Sequence, residues 1–168
     1  MIVIVFGLPG SGKSYFASRL AEMINADYIN SDRLRMEMYA VRTYSEEEKL
    51  SVYDKMLEKV RHSNVDNRNT IVDGTFYKKD IRKKFTDELR AYGTIFFIEV
   101  RAEKSIIRER LKNPRSYSEA DFNTYKKIKT QWEPMEDDHL VLESTNDNIE
   151  EMLLQAVNHL NYGERRNK

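Results

Sequence analysis

The sequence predicts a three-layer α/β fold built on a five-stranded parallel sheet. Three observations lead there. The chain opens on a continuous apolar, mostly β-branched run, Ile2-Val3-Ile4-Val5-Phe6, and such a run suits a strand buried on both faces. Four more short apolar runs follow, alternating with stretches of helical spacing. That alternation implies parallel strands with helices on both faces. The first run ends on a glycine-rich turn, and the first helical stretch begins directly after it.

The remaining strands fall at Tyr28-Ile29-Asn30, at Thr70-Ile71-Val72 ending on Asp73-Gly74, at Thr94 to Val100, and at His139 to Leu142. Helical spacing runs from about Lys13 to Ile24, with Phe16, Leu20, Met23 and Ile24 on the core side. A long helix starts near Ser45 and carries Leu50, Tyr53, Met56, Leu57 and Val60. Ser45-x-x-Glu48 has capping-box spacing at its start, and Ser118-x-x-Asp121 offers a second cap. Further helices cover about 79–92, 103–112, 118–130 and 147–160. Pro9, Pro114 and Pro134 all fall in connections, and Gly163 to Lys168 reads as a polar, fraying tail.

At 168 residues the chain suits one domain, residues 1–168, of a size that buries about 70% of its unfolded surface. The absence of cysteine excludes a disulfide framework, a cysteine-bound zinc and a thiol nucleophile, and accords with a cytoplasmic location. The apolar N-terminus has no cationic flank and is too short for a leader or a membrane span, so no membrane partner is expected. Lys and Arg total 28, as do Asp and Glu. A neutral chain is a poor general coat for nucleic acid. The charge is nevertheless segregated. Residues 101–115 hold six basic and two acidic side chains, whereas residues 133–151 hold eight acidic and no Lys or Arg.

The chemistry is carried first by Gly7-Leu8-Pro9-Gly10-Ser11-Gly12-Lys13-Ser14, which fits G-x-x-x-x-G-K-[ST] between a strand and a helix. Glycines let the backbone wrap a phosphate in conformations that a Cβ forbids. Successive N–H groups then face the anion, and the helix aims its positive end at it. In this pattern Lys13 reaches the β- and γ-phosphates of ATP and Ser14 ligates Mg²⁺. The sequence shows no Asn-Lys-x-Asp for guanine and no Asp-x-x-Gly after the third strand, and Asp73 is followed by Gly74 rather than by a water-activating Glu. Transfer to a hydroxyl is therefore favoured over GTP hydrolysis or motor action.

Such transfer needs a carboxylate to accept the hydroxyl proton. Asp32, in Tyr28-Ile29-Asn30-Ser31-Asp32-Arg33-Leu34-Arg35, returns beside the phosphate loop after one helix and one strand. Its other reading is a helix N-cap, a task that Ser31 would share. Arg35 lies one turn further along the same helical face, where it would hold an anionic part of the acceptor.

Together, Gly-x-Pro-Gly-Ser-Gly-Lys-Ser and Ile-Asn-x-Asp-x-x-Arg resemble the kinase domain of phage-type polynucleotide 5′-hydroxyl kinases and the wider group of small P-loop kinases that includes zeta toxins. The resemblance implies a nucleoside-kinase-like P-loop NTPase fold with a helical lid over about 101–132. It implies ATP and Mg²⁺, held by Gly10, Ser11, Gly12, Lys13, Ser14, Tyr15 and Arg115. It makes Asp32 the general base and Lys13 and Arg108 the catalytic cations, with Arg110, Lys112 and Arg115 as rivals to Arg108. Arg35, Asp73 and Thr75 fall on the acceptor side, and Phe76 or Tyr77 is placed to stack on a base. Trp132 is either core or an acceptor contact, and Ser144-Thr145 lies where such kinases pass the adenine. Where the family often has Arg-Asp-Asp, this chain has Ser31-Asp32-Arg33, which changes acceptor contacts. The implied acceptor is the 5′-hydroxyl of a polynucleotide, which the basic stretch Lys78, Lys79, Arg82, Lys83 and Lys84 would assist. A small hydroxyl metabolite is the alternative acceptor, and a non-catalytic ATP-binding module the alternative function.

Overall fold

A computed structural model describes residues 1–65, 68–113 and 118–166. In chain order the elements are β1 (Ile2–Phe6), α1 (Lys13–Met23), β2 (Asp27–Asn30), α2 (Ser31–Met38), α3 (Glu46–Val65), β3 (Thr70–Asp73), α4 (Lys79–Leu89), β4 (Ile95–Arg101), α5 (Lys104–Arg110), α6 (Phe122–Thr130), β5 (Leu140–Glu143) and α7 (Ile149–Arg166). All five strands are parallel, in the order β2-β3-β1-β4-β5.

β1 is central, and all five of its residues are fully buried. Its alternating side chains feed two cores. Ile2, Ile4 and Phe6 pack with Leu34 of α2, Val52, Tyr53, Met56, Leu57 and Val60 of α3, and Phe85 and Leu89 of α4. Val3 and Val5 pack on the other face with Phe16, Ala17, Leu20 and Ala21 of α1 and Met152, Leu153, Ala156 and Leu160 of α7. Each large apolar side chain so buried contributes about 1.5–3 kcal/mol. Because both faces are covered, β1 reads as a continuous apolar run rather than an alternating one.

The adjacent strands β1 and β3 are followed by helices on opposite faces, α1 on one and α4 on the other. A crevice therefore opens at their carboxyl ends, the place where open α/β sheets bind ligands. The return from α1 into β2 is made by Asn25, whose φ is 49°. The Asn25 N–H bonds Glu22 O and the Ala26 N–H bonds Ala21 O, a Schellman stop with Asn in place of Gly.

Two boundaries and one cap differ from the sequence reading. α6 starts at Phe122 rather than Ser118, because Asp121 is the cap: its Oδ1 accepts from the Thr124 N–H at 2.7 Å. α7 continues to Arg166 instead of fraying from Gly163. The bare Cα of Gly163 permits this, since a Cβ there would lie 2.3 Å from the Phe96 ring. The helix expected to carry Asp32 and Arg35 is α2, capped not by Asp32 or Ser31 but by Asn30, whose Oδ1 accepts from the Arg33 N–H at 2.9 Å.

The basic stretch on α4 is neutralised within the chain. Lys78 pairs with Glu133, Lys79 with Glu136, Lys83 with Asp87 and Lys84 with Asp54. Arg82 is buried and donates to the carbonyls of Phe76 (2.6 Å), Glu133 (2.7 Å) and Pro134 (3.3 Å). It thereby staples the segment after β3 to the segment before β5. Among the described residues no helix is long and apolar enough to cross a membrane.

Replacing Arg82 by Met strands those carbonyls in a buried setting. R82M is expected to lose about 2–4 kcal/mol in urea denaturation, whereas K84M, which breaks only a surface pair, shifts stability by less than about 1 kcal/mol.

Candidate active site

The phosphate loop leaves β1 at Gly7 and enters α1 at Lys13. Gly10 and Gly12 have φ of 81° and 94°, a region that disfavours any residue with a Cβ. Space forbids one as well. A Cβ on Gly10 would lie 2.9 Å from Leu111, and one on Gly12 would lie 2.8 Å from Ser144 Oγ. Helix α5 thus rests on the loop through Ile107 and Leu111, and the end of β5 touches it through Ser144.

Two chambers flank this loop, and Lys13 lines both. The first, about 390 Å³, is walled by Gly10, Gly12, Ser14, Tyr15, Arg110, Ser144, Thr145 and Asn146. Arg110 fixes its rim by donating to Ser11 O (3.0 Å), Ser144 Oγ (3.2 Å) and Thr145 O (2.6 Å). Burial lowers the Arg110 pKa from its ordinary value. The second chamber, about 260 Å³, is walled by Asp32, Arg35, Tyr44, Lys49, Tyr53, Thr75, Tyr77 and Ser118, together with residues of α6.

Asp32 stands in the second chamber and is free of capping duty, since Asn30 performs it. Burial pushes its pKa above the usual carboxylate range. Lys13 opposes that shift, Asp73 adds to it, and Arg35 and a hydrogen bond from Ser118 oppose it. A raised carboxylate pKa moves Asp32 toward the range suited to accepting a proton near neutrality.

Asp73 ends β3, in register with Val5 on one side and Asn30 on the other, and is fully buried. Its Oδ2 accepts from the Tyr28 hydroxyl (2.7 Å) and from Asn30 Nδ2, while Oδ1 has no partner. The Tyr28 hydroxyl also reaches Ser14 O at 3.4 Å, which ties Asp73 to the start of α1. Burial, with the Asp73 carboxylate beside it, raises Tyr28 well above the usual phenol value, so it stays a proton donor. A buried carboxylate oxygen with no partner among the described residues, on a side chain linked through Tyr28 to the Ser14 carbonyl, fits a divalent cation, a hard ion that prefers oxygen ligands. Ser14 and Asp73 are the residues that would hold it.

Arg35 lines the second chamber with part of its guanidinium already committed. Its Nη1 donates to Glu48 Oε1 at 2.6 Å, and its guanidinium lies 4.8 Å from the Tyr44 ring centroid. Glu48 collects more donors: the Thr43 N–H (2.7 Å), the Thr43 hydroxyl (2.8 Å) and the Tyr44 N–H (3.2 Å). The Ser45-x-x-Glu48 spacing is thus half a capping box. Ser45 Oγ does accept from the Glu48 N–H, but the Glu48 carboxylate turns to Arg35 and the preceding turn. That turn holds Tyr44 at φ 56°, a costly conformation for an aromatic residue.

The other assignments divide clearly. Thr75 and Tyr77 line the second chamber, whereas Phe76 is fully buried among Tyr53 and Phe85. Trp132 is core-facing and stacks on Phe6 at 6.0 Å. Arg108 is exposed, lies over Phe122 at 4.5 Å and lines neither chamber. Arg115 lies outside the described residues. Tyr28, Asn30, Glu48 and Ser118 escaped role assignment in the sequence. Asn30 stood there as the Asn of Ile-Asn-x-Asp, and Glu48 and Ser118 only as helix-cap positions.

This fold and this two-chambered site define a P-loop α/β protein, and the chain belongs to the AAA domain family, whose sequence profile matches residues 2–135. A search of the curated proteins finds no match. Among solved structures it is similar to a sugar kinase from Janibacter sp. HTCC2649, at 18% identity and a TM-score of 0.71, covering 95% of this chain and 94% of that one. It is also similar to an APS kinase from Mycobacterium tuberculosis solved with AMPPNP and APS (15%, TM-score 0.73, 95% and 96%). A third is Kti12 from Chaetomium thermophilum, solved with ADP-AlF3 (18%, TM-score 0.70, 95% and 97%). The fold is therefore that of the P-loop kinases.

Glu48 gives a pH prediction. Burial alone would raise its pKa, but Arg35 and the Thr43 donors hold it at about 2 against an ordinary 4.5. A depressed folded-state value stabilises the fold above the unfolded value and is lost as pH falls through the folded one. The stability gap between wild type and E48Q, read by chemical denaturation, is expected to be full at pH 6 and to narrow as pH falls from 4.5 toward 2.

Proposed function

We propose that the protein is an ATP- and Mg²⁺-dependent phosphotransferase that moves the γ-phosphoryl group to a hydroxyl of a small acceptor. The observation that carries the reading is the placement of Lys13 on the wall shared by two chambers, with a carboxylate of raised pKa, Asp32, in only one of them. The nucleotide belongs in the chamber of Tyr15, Arg110 and Ser144, with its phosphates on the loop amides. The acceptor belongs beside Asp32, Thr75 and Tyr77.

In the reaction the acceptor oxygen forms a bond to the γ-phosphorus as the bond from that phosphorus to the β–γ bridging oxygen breaks. The electron pair of the broken bond leaves with ADP, and the acceptor proton passes to Asp32. Lys13 offsets charge on the phosphoryl oxygens. The sequence assigned a further clamp to Arg108. Arg110 is better placed for it, since its guanidinium already touches Ser11 of the loop. Mg²⁺ supplies additional charge neutralisation when bound, through Ser14 and Asp73.

Small acceptors are supported by the modest volume of the Asp32 chamber and by the internal pairing of the α4 lysines. Two of the similar folds are described as a sugar kinase and an APS kinase. The Ile29-Asn30-x-Asp32-x-x-Arg35 segment favours a second reading, transfer to the 5′-hydroxyl of a polynucleotide.

The test uses γ-labelled ATP with sugars, sugar acids, nucleosides and 5′-hydroxyl oligonucleotides as acceptors. Wild type is expected to label a small hydroxyl compound. D32N should lose about 10²- to 10⁴-fold in kcat while binding ATP as wild type does, and K13A should lose both turnover and ATP affinity. Label on oligonucleotides alone would establish the second reading, and equal turnover by D32N would remove Asp32 from the chemistry.

A further inference from the structure

Tyr44 and Glu119, on the wall of the Asp32 chamber, belong to a strap of side chains. Arg42 donates to both carboxylate oxygens of Glu119, from Nη2 at 2.6 Å and Nε at 3.2 Å, and the Tyr44 hydroxyl donates to Glu119 Oε2 at 2.5 Å. These contacts join the turn between α2 and α3 to the segment that precedes α6, two stretches far apart in sequence. Each end of the strap is anchored on the chamber itself. At one end Glu48 holds the 43–44 turn and Arg35, and at the other Ser118, next to Glu119, lines the same chamber as Asp32. Asp32 and Arg35 lie one turn apart on α2, and both line the cavity that Tyr44, Ser118 and Glu119 also line.

A surface ion pair has no need of this arrangement. Tyr44 is held in a left-handed backbone conformation, and an aromatic residue so held points to a constraint imposed by the surrounding structure. The conformation turns the Tyr44 ring under the Arg35 guanidinium and its hydroxyl toward Glu119. The cavity these residues help to line is about 260 Å³, just below the roughly 300–1,000 Å³ range of ordinary ligand clefts.

We propose that Arg42, Tyr44 and Glu119 set the size of the acceptor: closed, the strap admits a free monomeric hydroxyl compound and holds a polymer end out of reach of Asp32. The inference rests on the phosphotransfer reading for the word acceptor, but the size filter is a property of the chamber and is measurable without turnover. Residues 42, 44 and 119 are specificity-determining and touch no reacting atom in this arrangement.

The chain has no cysteine, so T75C places a single thiol on the chamber wall and V41C a single control thiol on a strongly exposed residue. Each is labelled with N-ethylmaleimide and with a polyethylene-glycol maleimide, and the T75C rates are divided by those of V41C. With the strap intact, T75C is expected to react readily with the small reagent and slowly with the bulky one. Adding E119A or, independently, R42A is expected to raise the bulky-reagent rate by about fivefold, the scale on which losing exposed ion pairs shifts an opening equilibrium, and to leave the small-reagent rate nearly unchanged. Bulky-to-small ratios that match with and without the strap overturn the proposal. ATP transfer by the cysteine-free wild type is scored in parallel. A shifted ratio without transfer overturns the kinase reading and keeps the filter, and transfer without a shifted ratio does the reverse.

Discussion

The site depends on one buried carboxylate. Asp73 sits at the end of β3, flanked in register by Val5 and Asn30, with no exposed surface. Taking a carboxylate out of water costs several kcal/mol unless donors or a cation compensate. Tyr28 and Asn30 satisfy one of its oxygens, and the other has no partner among the described residues. Much of the surrounding sequence serves that arrangement. Asn30 divides itself between Asp73 and the cap of α2, which fixes the first turn of the helix that carries Asp32. The alternation of β1, feeding one core with Ile2, Ile4 and Phe6 and the other with Val3 and Val5, sets the phosphate loop alongside.

On the proposed reading the molecule separates two tasks on either side of Lys13. The nucleotide side is built on backbone and on neutral or cationic groups: glycines at positive φ, the rim fixed by Arg110, and the Ser144–Asn146 turn. The acceptor side is built on side chains, with two carboxylates, several cations and three tyrosines around the cavity. A preorganised polar wall of this kind lowers the reorganisation needed as charge moves during transfer. The zero net charge of the chain conceals this division. The acidic segment after α6 does not face the site as a field; its Glu133 and Glu136 neutralise the lysines that open α4.

The sheet was legible because each strand is a short apolar run separated from the next by helical spacing, and the phosphate loop because its glycines and Lys13 leave few other physical uses. Asp32 was legible from its return position beside that loop. The rest required tertiary placement. Asn30, Ser31 and Asp32 are all good N-caps, so the sequence could not show that Asn30 caps and thereby frees Asp32. Ser45-x-x-Glu48 was a correct local signal with an incomplete meaning, because the Arg35 that claims the Glu48 carboxylate comes from another helix. Arg108 and Arg110 lie on the two flanks of the Ile107–Leu111 seam that seats α5 on Gly10. Only the position of β5, which supplies Ser144 and Thr145, decides that Arg110 meets the loop. The α4 lysines looked like a nucleic-acid patch because their acidic partners at 54, 133 and 136 are distant in sequence.

The most direct test of the account is a crystal structure with Mg²⁺ and the β,γ-imido analogue of ATP. The account predicts the base between Tyr15 and the Ser144–Asn146 turn, the terminal phosphate on Lys13 facing Asp32, the metal against Ser14 on the side of Asp73, and the Asp32 chamber left open for an acceptor. A nucleotide whose base or phosphates fill the Asp32 chamber would contradict the division of the site at Lys13 and, with it, the assignment of Asp32 as the group that receives the proton.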